Sequence, residues 1–99
     1  MYSKHYIRDR VAREQLIRKI GIGTEVATIY VDRNHPAGPE LHTVTTTGII
    51  IIRNANTHKV VTKLIARPNQ IRRYFEKMTP EIQKIVNIAY KHQQMHYNI

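Results

Sequence analysis

The chain has 99 residues, no cysteine, and a net charge of +9 from 16 Lys or Arg against 7 Asp or Glu. That length makes one domain over residues 1–99, burying roughly two-thirds of its unfolded surface. The composition excludes disulfide staples and thiolate metal sites, offers no apolar run near the ~20 residues of a membrane span, and its charge attracts phosphate polyanions or anionic membrane.

Lys4 to Ile20 is expected to form the first helix, with Ser3 as its N-cap. Ile7, Val11, Leu16, Ile17 and Ile20 give it an apolar stripe. The stripe slips between Val11 and Leu16, which leaves room for a kink. Arg8, Arg10, Arg13, Arg18 and Lys19 occupy the other face, and Gly21 and Gly23 end the helix. Met1 to Ile20 is charged and has no apolar core like that of a signal peptide, so a protein that is cytoplasmic, or delivered into a target cell's cytoplasm, is expected.

Four strands follow. Thr24 to Val31 is rich in Val, Ile, Thr and Tyr; Glu40 to Thr46 alternates; Ile49 to Ile52 is an unbroken β-branched run; Lys59 to Ala66 alternates again. Asp32 to Pro39 reads as a surface loop and Asn54 to His58 as a tight polar turn. Short connections between consecutive strands predict an antiparallel meander.

Pro68 stops the last strand, and Asn69 is expected to cap a short helix with Ile71, Tyr74 and Phe75 inward and Arg72 and Arg73 outward. Thr79-Pro80-Glu81 opens a final helix whose buried stripe is Ile82, Ile85, Val86 and Ala89. The fold class is therefore α+β: an N-terminal helix, a four-stranded antiparallel sheet and two C-terminal helices.

Between Arg53 and Lys77 there are seven Lys or Arg and one acidic residue, Glu76. Arg53, Arg67, Arg72 and Arg73 are the candidates here for phosphate contact, with Arg67 at a strand end beside the proline, and Tyr74 supplies a hydroxyl nearby. His92 and His96 are spaced for chelation, but no third ligand is evident, and no Gly-rich phosphate loop or nucleophile elbow is present. No cofactor is expected. What remains is a pool of His, Arg, Thr and Tyr on a basic sheet, with His42 in mid-strand. That pool suits metal-independent RNA cleavage. The ribose 2′-OH attacks the adjacent phosphate, imidazoles serve as base and acid, and guanidinium groups hold the phosphate.

Ser3-Lys4-His5 followed by Arg8 and Arg10 resembles the opening of small bacterial and phage proteins related to RelE-like toxins, and Lys59-Val60-Val61-Thr62 is similar to their late strand. The wider group is the barnase, EndoU, colicin and RelE-like ribonuclease fold, which runs helix first and then a four-stranded antiparallel sheet. The resemblance implies a catalytic His5, a phosphate ligand in Arg8 and a strand-borne hydroxyl in Thr62. It also implies RNA as substrate and an acidic antitoxin or immunity protein as partner. The expected site is one hollow beneath the opening helix on which these groups converge. Two other readings fit the charge without catalysis: a basic module that binds nucleic acid, and a phage or regulatory protein that presents its cations to an acidic host protein.

Overall fold

A computed structural model describes residues 10–32, 34 and 36–96. Helix α1 (Arg10–Ile20) leads into strands β1 (Glu25–Val31), β2 (Glu40–Thr45), β3 (Ile49–Asn54) and β4 (Val60–Ile65), then α2 (Pro68–Arg72) and α3 (Pro80–His96). The strands form one antiparallel sheet in the order β1-β2-β3-β4, the expected meander.

The unbroken Ile49 to Ile52 run is explained by what covers the sheet. Alternate residues of a strand point to opposite faces, and both faces of β3 are buried. Ile50 and Ile52 join Val44, Ala66, Ile71, Ile82, Ile85, Val86 and Ala89 beneath α2 and α3. Ile49 and Ile51 join Ile65 and Ile17 beneath α1. Each of the four isoleucines is at most 8% exposed. At about 1.5–3 kcal/mol for a fully buried side chain of this kind, β3 is the main hydrophobic anchor of both layers.

The described part of α1 is continuous, so the slip in its stripe produces no break there. Instead the helix turns Val11 outward, 64% exposed. Arg13 takes the position facing the sheet, its Nε donating to Lys63 O at 2.9 Å and its Nη2 to Thr62 Oγ1 at 3.1 Å. β4 has a partner strand on one side only, and Arg13 caps part of its open edge, where an unpaired carbonyl would otherwise invite another strand. Gly21 closes the helix, its N–H donating to Ile17 O at 2.8 Å with a left-handed φ of 88°. The expected start at Lys4 lies outside the described residues.

Local side chains set the turns. Gly48 N–H donates to Thr45 O at 3.0 Å, and Gly48 has φ 79°, as a three-residue hairpin loop requires. Asn54 Oδ1 accepts the N–H groups of Asn56 and Thr57 at 2.8 and 3.0 Å, the self-bonding turn expected of asparagine. α3 begins as its residues dictate, with Thr79 Oγ1 accepting Ile82 N–H at 3.3 Å and Pro80 in the first helical position.

α2 departs from expectation. Its first residue is Pro68 and its N-cap is Arg67, so Asn69 lies inside the helix. Proline suits a first helical position because its missing N–H has no intrahelical partner to lose. The Gln70 side chain then reaches back to accept Arg67 N–H at 2.8 Å.

Candidate nucleic-acid interface

The sheet register places His42, Ile52 and Thr62 in one row across β2, β3 and β4. The row lies on the face that carries α2 and α3. Two strand spacings put the His42 and Thr62 Cα atoms roughly 10 Å apart, with Ile52 between them. At one end of the row, His42 Nε2 lies 3.1 Å from Glu40 Oε1, and the His42 side chain is only 12% exposed. Glu40 precedes it by two residues and shares its face. At the other end, Arg13 donates to the Thr62 hydroxyl, whose own proton has no acceptor among the described residues. An imidazole oriented by a carboxylate can relay a proton, and a hydroxyl beside a guanidinium can orient an anion.

The remaining candidates do not join this row. Arg53 projects from the opposite face, where its Nη1 pairs with Glu25 Oε1 at 3.0 Å. Arg67 stands beyond the end of β4, at the start of α2. His5 and Arg8 lie outside the described residues.

A second group forms where α2 meets α3. Arg72 Nη1 donates to Asn69 Oδ1 at 3.1 Å and its Nη2 to the Tyr90 hydroxyl at 3.0 Å. Its Cζ lies 5.6 Å from the Tyr90 ring centroid, within the range of a cation–π contact. The guanidinium is thus fixed by one residue from each helix. Among the described residues, two of its five N–H bonds are engaged and three are left. Arg73 follows as the C-cap residue of α2 and is exposed. Among the described residues, neither Arg72 nor Arg73 has a carboxylate partner. Tyr90 itself is 44% exposed. Asn87 and Gln83 precede it by three and seven positions on the same side of α3, and Gln83 Nε2 donates to Asn87 Oδ1 at 2.8 Å.

Tyr74 faces inward. It packs with Phe75 against the core beneath α2 and α3, their ring centroids 6.4 Å apart, and burial pushes its phenol up to about 12. The aromatic ring presented beside Arg72 is Tyr90, which sequence reasoning missed. The signal was present: Tyr90 is a large ring lying off the Ile82, Ile85, Val86 and Ala89 stripe. Glu40 and Arg13 were missed as partners of His42 and Thr62, because the first pairing needs the strand phase and the second needs α1 seated on β4.

No protein-family model matches the chain, and comparison with curated proteins and with solved structures returns no match.

Proposed function

We propose that the protein binds single-stranded nucleic acid, RNA in the first instance, through the surface where α2 meets α3. The observation that carries this reading is the fixed Arg72 guanidinium beside an exposed Tyr90 ring. Single strands are held by cations that track phosphates and by rings on which bases stack. Here both elements are adjacent, and the guanidinium is already oriented, so less side-chain freedom is lost on binding. The net charge of +9 adds long-range attraction for the polyanion.

The Glu40–His42 pair supports a second reading, metal-independent endoribonuclease activity of the toxin type. In it His42 removes the 2′-OH proton and the oxygen attacks the adjacent phosphorus. The 5′ oxygen leaves, taking a proton from water, and the product is a 2′,3′-cyclic phosphate. The Thr62 hydroxyl and Arg13 guanidinium would steady a phosphate oxygen. A cell making such an enzyme would need an acidic protein to cover the cationic surface by charge complementarity.

One experiment separates the two readings. The folded protein is mixed with labelled single-stranded RNA in EDTA at low salt, and both retention and end chemistry are followed. Binding without new ends supports the binding module. Cyclic phosphate ends that disappear in His42→Ala, while binding persists, support the nuclease. Failure to retain RNA at low salt overturns the proposed function.

A further inference from the structure

A groove of about 480 Å³ runs between α1 and β4, lined by Glu14, Ile17, Arg18, Gly21, Ile22 and Lys63. It lies on the α1 side of the sheet, away from Arg72 and Tyr90. It is an open surface groove rather than an enclosed cavity.

The lining has three kinds of wall. Arg18 and Lys63 contribute cations from different elements, and among the described residues neither has an ion-pair partner. Ile22 contributes exposed apolar surface, with Ile17 buried behind it at 3% exposure, and a Cβ on Gly21 would meet nothing within 4 Å. Glu14 contributes a carboxylate one helical turn before Arg18. Its Oε1 is held by Arg10 at 3.1 Å, which leaves Oε2 without a bond among the described residues. Gly21 N–H caps Ile17 O, and Thr47 Oγ1 lies 2.6 Å from Gly21 O and 2.8 Å from Ile22 O.

From this lining we infer that the groove holds one nucleotide whose base carries an exocyclic amino group. An inorganic phosphate would use the cations and leave the apolar wall and the carboxylate idle. An apolar molecule would strand the charges. A nucleotide offers all three features in one molecule: a phosphate for Arg18 and Lys63, a flat base for Ile22, and N–H donors for Glu14. An ionised carboxylate only accepts hydrogen bonds. Adenine, cytosine and guanine present an amino group to it. Uracil presents a single N–H between two carbonyls, which the carboxylate repels. The nucleotide is either free or part of a strand, and the inference rests on the proposed function only for the second source.

The test is titration of the ¹⁵N-labelled protein with AMP, CMP and UMP at low salt, followed by amide shifts. Saturable shifts at Glu14, Gly21 and Lys63 are expected with AMP and CMP, and UMP should bind at least about tenfold more weakly. Lys63→Ala should weaken AMP and CMP by a similar factor. Glu14→Gln should bring UMP level with CMP, since an amide both donates and accepts. Absence of saturable binding, equal affinity for UMP, or shifts confined to the surface around Arg72 overturns the inference. A parallel titration with a short single-stranded RNA keeps the two claims apart. If the monophosphates fail while the strand shifts Arg72 and Tyr90, the groove inference falls and the proposed function stands. If they bind and the strand does not, the groove is a site for free nucleotides and the proposed function falls.

Discussion

Replacing Arg72 by alanine and, separately, Tyr90 by alanine should damage RNA binding in two distinguishable ways. Arg72 has three guanidinium N–H bonds left after those to Asn69 and Tyr90, enough to engage one phosphate in a forked contact. A hydrogen bond to a charged group contributes about 1.5–3 kcal/mol, so Arg72→Ala should weaken binding by roughly tenfold or more at low salt. One fewer neutralised phosphate should also make the slope of log K against log salt shallower by about 0.7 for a single strand. Tyr90→Ala removes a stacking surface instead, a loss of about 1–3 kcal/mol per base, and should leave the slope unchanged. Tyr90→Phe keeps the ring and loses only the acceptor that steadies Nη2, so its effect should be the smallest of the three. The assay is fluorescence anisotropy of a short labelled RNA across a potassium chloride series, with circular dichroism to confirm that each variant is folded. An unchanged salt slope in Arg72→Ala, or wild-type affinity at every salt in Tyr90→Ala, would refute the assignment of this surface.

Three further outcomes test the fold. Thr45 is fully buried and its Oγ1 accepts the buried Ile49 N–H at 3.2 Å; Thr45→Val keeps the shape and removes the acceptor, so stability should fall by about 1–3 kcal/mol. For a domain of this size that is a drop in Tm of roughly 4–8 °C per kcal/mol, read from a thermal melt. Thr79→Ala deletes the α3 cap and should cost about 1 kcal/mol, seen as a lower urea midpoint with an unchanged m-value. Tyr74 has a phenol raised from 10.0 to about 12, so the unfolded chain loses this proton before the folded one does. Its contribution is whole below pH 10 and is lost as the pH climbs toward 12. Tyr74→Phe should flatten that alkaline decline in urea melts.

The order of elements was legible because its signals are local. The Ile49 to Ile52 run, the Asn54 turn and the Thr79-Pro80 start each act within a few residues of themselves. The start of α2 was misread because proline both ends a strand and begins a helix. Only the Gln70 side chain, folding back on Arg67 N–H, decides between them here. Which candidates share a face depended on register. His42 and Thr62 fall in one row because β2, β3 and β4 pair without a slip as far as Ile52, whereas Arg53 comes one residue later and points the other way. The Arg72–Tyr90 contact joins residues 18 apart in sequence on two helices, and no pattern within either helix specifies it.

The contact between Arg13 and Lys63 spans 50 positions. During synthesis the segment that becomes α1 therefore leaves the ribosome long before the strand that receives it. Until β4 is laid down, Ile49 and Ile51 lack Ile65 beside them, and α1 lacks the strand that Arg13 grips. Once the helix is seated, it remains a flap fastened near the sheet's last strand, and local breathing of the finished molecule should begin by lifting it.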